Sequence, residues 1–125
     1  MSISLLIVDD SLTMRAVIKK VVQMSGFEAD KYLEAGSGAD AIKIMAQEKV
    51  DLVLSDINMP EMTGIQMLEK VKADPQTSAI PIVMISTEGS EERINEAMEH
   101  GASGYLKKPF QPEEIRTLLE KTLGG

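Results

Sequence analysis

The sequence has no cysteine, no tryptophan, a single histidine, two tyrosines and two phenylalanines. Without cysteine there can be no disulfide, no thiolate metal ligand and no thiol nucleophile. The first apolar run stops at Asp9 and no basic segment precedes it, so no secretory signal is expected. No run approaches the ~20 apolar residues that cross a bilayer. Charge of one sign is also scarce. Against 20 Asp and Glu there are 13 Lys and Arg, and the net charge of -7 opposes binding to nucleic acid or an anionic membrane by charge alone. A soluble, cytoplasmic chain is expected, with no direct nucleic-acid contact and no membrane insertion. The 125 residues are expected to form one domain over 1–125, enough to bury roughly two-thirds of the unfolded surface. Nine methionines partly take the place of the missing aromatics, and a Met-packed core is expected.

What is present alternates between two periods. Short apolar runs predict strands at Ser4–Val8, near Lys31–Glu34, at Leu52–Ser55, Ile82–Ile85 and about Gly104–Lys107. Between and after them come segments with helical spacing. The first carries Met14, Val17, Ile18 and Val21 and ends at Gly26. The second carries Ala41, Ile42, Met45 and Ala46. The third starts near Thr63, carries Ile65, Leu68 and Val71, and stops by Asp74-Pro75. The fourth carries Ile94, Ala97 and Met98 and ends at His100-Gly101. The last begins near Pro112 and carries Ile115, Leu118, Leu119 and Leu123. This is a (βα)5 chain. Alternating elements of this kind fold into a parallel sheet covered on both faces, and five strands are too few for a closed eight-stranded barrel. An open, doubly wound sheet is expected.

Ligand sites in such sheets lie outside the carboxyl ends of the strands, where the strand order reverses. With the order 2-1-3-4-5, that place falls between the first and third strands. Asp9 and Asp10 end the first strand, Asp56 the third, Ser86 the fourth and Lys108 the fifth. Adjacent strands are about 4.8 Å apart, so these groups fall in one row. Clustered carboxylates raise one another's pKa or demand a cation, and hard oxygen ligands suit Mg2+. Asp10 could instead simply cap the first helix.

The segments Ile7-Val8-Asp9-Asp10-Ser11, Asp56-Ile57-Asn58-Met59-Pro60-Glu61-Met62-Thr63-Gly64, Ile85-Ser86 and Lys108-Pro109-Phe110 resemble the receiver domain of two-component response regulators. Lys72 to Pro81 resembles the stand-alone, chemotaxis (CheY-like) subgroup, in which no output domain follows. The segment Phe27–Leu33 is slightly longer than the family pattern, which affects only the boundary of the second strand. The resemblance implies a flavodoxin-like fold and a phosphoacceptor signalling domain. It would not be an enzyme beyond self-directed phosphotransfer and autodephosphorylation.

In that family Asp56 would attack a phosphohistidine of a sensor histidine kinase or phosphotransfer protein and become an acyl phosphate. Mg2+ would be held by Asp10, Asp56 and the backbone carbonyl of Asn58, with Asp9 acting through water. Lys108 would bind a phosphoryl oxygen and, before phosphorylation, could pair with Asp56. Ser86 would be the switch hydroxyl and Tyr105 the ring that moves inward with it. Asn58 and Glu88 would tune the phosphoryl lifetime. The Lys108–Pro109 bond would be cis. The face built by the fourth helix, fifth strand and fifth helix would meet a downstream effector such as a flagellar switch component. Glu88, Glu91, Glu92, Glu96 and Glu99 make the fourth helix acidic, either as a solvated face or as one for a basic partner. His100 suits a helix C-terminus. Two other classes share this architecture. A haloacid dehalogenase-like phosphatase needs an acid Asp where Asn58 stands, and a flavodoxin-like cofactor carrier needs a glycine-rich phosphate loop where Asp9 and Asp10 stand.

Overall fold

The structure is a computed structural model that describes residues 3–59, 61–86, 91–108 and 110–124. Five strands alternate with five helices: β1 (Ser4–Val8), α1 (Leu12–Met24), β2 (Lys31–Ala35), α2 (Gly38–Gln47), β3 (Leu52–Asp56), α3 (Gly64–Ala73), β4 (Ile82–Ser86), α4 (Glu91–Glu99), β5 (Gly104–Lys107) and α5 (Pro112–Gly124). The strands pair in parallel in the order β2-β1-β3-β4-β5. The doubly wound expectation holds, and the break in order lies between β1 and β3.

Successive side chains along a strand point to opposite faces, and the two faces make two cores. Leu5, Ile7, Leu52, Leu54, Val83, Ile85 and Leu106 pack under α1 and α5 against Ile18, Val22, Ile115 and Leu119. Leu6, Val8, Val53, Ile82 and Met84 pack under α2, α3 and α4. The methionine expectation holds in part: Met45, Met59, Met67 and Met84 are buried, whereas Met24 and Met98 are exposed.

Local chemistry sets the helix ends. The hydroxyls of Ser11 and Ser37 accept from the backbone N–H of Met14 and Asp40. Thr63 and Gln66 form a capping box at the start of α3. Gly26, at φ +84°, takes the left-handed turn that closes α1.

Two helix faces differ from the sequence reading. On α1, Val22 is buried and Val17 is 46% exposed. Each residue advances about 100°, so Met14, Ile18 and Val22 share a stripe from which Val17 is rotated away. A helix lying on a sheet buries only that stripe. For the same reason Ala46 on α2 and Met98 on α4 face outward.

The loop between β3 and α3 contains Glu61 at φ 65°. A side chain in this left-handed region costs about 1–2 kcal/mol. Glu61→Gly removes that strain and adds the entropy cost of a glycine, about 0.5–1 kcal/mol. The expected net is stabilisation of roughly 0.5–1 kcal/mol, read as a higher urea midpoint at unchanged slope. A lower midpoint refutes it.

Candidate functional site

The register assembles the site. Val8 lies beside Ser55, so the next residues, Asp9 and Asp56, are level across β1 and β3. Asp9 follows Ile7 by two, Asp56 follows Leu54 by two and Lys108 follows Leu106 by two. Ile7, Leu54 and Leu106 all face the α1/α5 core. Pleat parity therefore directs two carboxylates and one ammonium to the same side of the sheet, just past its carboxyl edge.

Carboxylate oxygens of Asp9, Asp10 and Asp56 lie within 4.8 Å of one another. Asp9 is 2% exposed and Asp56 9%, whereas Asp10 is open to solvent. Asp9 Oδ1 accepts from the backbone N–H of Ser11 at 2.9 Å. Its other oxygen, Oδ2, is buried without a hydrogen-bond partner. A buried carboxylate oxygen without a hydrogen bond is costly, and a nearby cation offsets that cost. Asp56 Oδ1 accepts from the backbone N–H of Asn58 at 3.2 Å. Burial pushes the Asp56 carboxyl above its ordinary pKa. Asp9 and Asp10 push the same way, and the Asn58 N–H and Lys108 oppose them. The N-cap of α1 is Ser11, so Asp10 is free of capping and available to a ligand.

Lys108 reaches into the cluster, but its first partner is not the expected one. Its Nζ lies 3.6 Å from Asp9 Oδ2, with the lysine side chain 12% exposed. The ammonium goes to the buried oxygen that lacks a hydrogen bond; Asp9 and Asp56 each have one backbone donor, on Oδ1. Lys107 beside it faces solvent, as its opposite pleat position requires. Tyr105 stands outward on β5, 44% exposed. Ser86 ends β4 beside Lys107. Its side chain, Glu88, and the peptide bond into Pro109 lie outside the described residues. His100 closes α4, with Nε2 3.8 Å from Glu69 on α3, in keeping with a structural place. Glu91, Glu92, Glu96 and Glu99 are all exposed.

Two arginines at the site were not singled out in the sequence. Arg15 Nη1 donates to the backbone carbonyl of Asp9 at 2.6 Å, while its Nε bonds Glu34 at 2.9 Å. It braces the end of β1 from α1. Arg93 Nη1 donates to Asn58 Oδ1 at 3.0 Å. Neither contact leaves a local signal, because each joins separate elements.

The arrangement disfavours both rival classes. Asn58 has no acidic proton to give, and the carboxylates of the first loop would repel a flavin phosphate. Among the described residues, no helix is long and apolar enough to cross a membrane.

Known proteins agree with this geometry. The response regulator receiver domain family matches residues 5–120. The chain is 41% identical over 121 residues to the chemotaxis protein CheY1 of Helicobacter pylori, covering 96% of each. It is 39% identical over 121 residues to the chemotaxis protein CheY homolog of Campylobacter jejuni, covering 96% of this chain and 92% of that one. Among solved structures, the chemotaxis response regulator CheY4 of Vibrio cholerae superposes with a TM-score of 0.84 at 33% identity, over 98% of this chain and 100% of that one. The chain therefore belongs to the response regulator receiver domain family and is homologous to the CheY chemotaxis regulators.

Proposed function

We propose that Asp56 is the phosphoacceptor, and that the phosphoryl group it takes from a histidine kinase or phosphotransfer protein switches the α4–β5–α5 face for a downstream effector, such as a flagellar switch component. The observation that carries this reading is the convergence of three carboxylates within 4.8 Å of one another, with Lys108 beside the buried, unbonded oxygen of Asp9. An Asp56 oxygen forms a bond to phosphorus as the P–N bond of the phosphohistidine breaks. The electron pair leaves on the imidazole nitrogen, which takes a proton. Lys108 needs only to turn from Asp9 to meet a phosphoryl oxygen as a point charge. Ser86, on the neighbouring strand, would donate its hydroxyl to another oxygen. Tyr105, now outward, would follow it inward.

Asp10, Asp56 and the Asn58 carbonyl would hold Mg2+ directly, and Asp9 through water. An all-oxygen set with unsatisfied negative charge fits a hard cation that keeps several waters. When bound, the ion neutralises the carboxylates and polarises the phosphoryl oxygens. Asn58 and Glu88 would flank the approach of water and tune the lifetime of the acyl phosphate.

Incubation with acetyl phosphate and Mg2+ should add one phosphoryl group, read by intact mass. A protein that stays unlabelled refutes the reading. Asp10→Ala should weaken Mg2+ binding at least tenfold in a titration, because it removes one of few hard ligands. Unchanged affinity would sink the ligand assignment.

A further inference from the structure

Asn58 is used twice. Its backbone N–H donates to Asp56, and its side-chain oxygen accepts from Arg93. A guanidinium has donors only, so the amide atom facing it must be the oxygen. Arg93 is the third residue of α4, and the next residue, Ile94, is 5% exposed, anchoring that turn in the core. It is also the only lysine or arginine between Lys72 and Lys107, in a helix otherwise rich in glutamate. The single cation of this stretch thus lies on the side chain two residues after Asp56.

We propose that Arg93 is a positioning residue that lengthens the life of the acyl phosphate by occupying the Asn58 amide oxygen. The inference rests on Asp56 being the phosphoacceptor. In hydrolysis, the oxygen of water bonds to phosphorus and the bond from phosphorus to the Asp56 oxygen breaks. The electron pair returns to the carboxylate, and a proton leaves the attacking water. That water directs one of its two lone pairs at phosphorus, and a group that draws on the proton it loses must accept one of its O–H bonds. The Asn58 side chain has one acceptor oxygen, with two lone pairs, and one NH2 group with two donors. Arg93 takes one of those lone pairs and fixes the amide plane, so the oxygen is held by the guanidinium and is not free to turn and follow the water. Small errors of aim change rates strongly.

The test follows decay of the acyl phosphate, after labelling with acetyl phosphate and Mg2+, in the wild type, Arg93→Ala, Arg93→Lys, Asn58→Ala and the double variant. Arg93→Ala should decay roughly 3- to 10-fold faster, the rate equivalent of one hydrogen bond. Arg93→Lys keeps a donor and should recover part of the wild-type lifetime. In the Asn58→Ala background, loss of Arg93 should change nothing further, which a merely structural role would not produce. Decay of Arg93→Ala at the wild-type rate, or an equal acceleration with and without Asn58, overturns the proposal. A wild type that takes no label overturns the phosphoacceptor assignment and this inference with it. Labelled wild type with an unaltered Arg93→Ala lifetime overturns the inference alone.

Discussion

Asp56→Asn is expected to take no phosphoryl group from acetyl phosphate and, at the same time, to unfold at a higher temperature than the wild type. The first effect follows from the loss of the nucleophilic oxygen pair, since an amide does not attack phosphorus. The second follows from what the site costs the fold. Burial, then Asp9 and Asp10, raise the Asp56 carboxyl above its ordinary value of 3.8, against the pull of the Asn58 N–H and Lys108. The folded protein therefore holds this proton to higher pH than the unfolded chain does. Stability falls as pH rises from 3.8 through the raised folded value, and stays lower above it. Asn keeps the acceptor for the Asn58 N–H and carries no charge. At neutral pH the gain should be on the order of 1 kcal/mol, about 4 °C in a chain of this size. Mg2+ should raise the melting temperature of the wild type by binding the native state, and do so less in the variant. Wild-type labelling of Asp56→Asn would place the nucleophile elsewhere. A lower melting temperature would mean that the carboxylate contributes more to the fold than its burial costs.

Gly64→Ala is expected to destabilise the protein by about 2 kcal/mol and to slow phosphorylation by about tenfold or more. Gly64 opens α3 and its N–H donates to the Ile57 carbonyl at 2.8 Å. Its φ lies outside the left-handed region, so glycine is needed there for space. A Cβ would sit 2.5 Å from the backbone oxygen of Asp56, 3.0 Å from Cα of Ile57 and 3.2 Å from Sδ of Met84. The two closest neighbours are backbone atoms of Asp56 and Ile57, so no rotamer change clears them. Either the first turn of α3 lifts from the core or the end of β3 shifts, and the second outcome moves Asp56. Gly36→Ala is the control. Its Cβ would meet only the tip of Arg15 at 3.5 Å, and stability should stay within about 0.5 kcal/mol. Wild-type melting and labelling in Gly64→Ala would show that the β3–α3 junction can relax around a methyl group.

Element type and order were legible in the sequence because β1, β3 and β4 are short, nearly uninterrupted apolar runs, whereas Lys31–Ala35 and Gly104–Lys107 mix apolar and charged residues and give a weaker signal. Leu5–Val8 and Ile82–Ile85 are buried on both faces of a central sheet and read as strands without any tertiary knowledge. Helix faces were less legible. Val17 and Val22 are equally apolar, and only docking on the sheet chose between them. The end of β3 extends one residue beyond the apolar run because Asp56 is still paired with Ile85 of β4, and that pairing follows from register. The carboxylates and Lys108 could be read as one site because strand ends in a parallel sheet share an edge.

By itself the sequence determined the alternation of strands and helices and the chemistry available at the strand ends. These depend on residue type and short-range spacing, which are local. Only the tertiary structure decided which oxygen Lys108 meets, that Arg15 braces Asp9, and that Arg93 holds Asn58 from a helix 35 residues away. Such contacts depend on crossover geometry and on which buried group lacks a partner. No window of sequence carries that information, because the partner is brought into reach only when the whole sheet has formed.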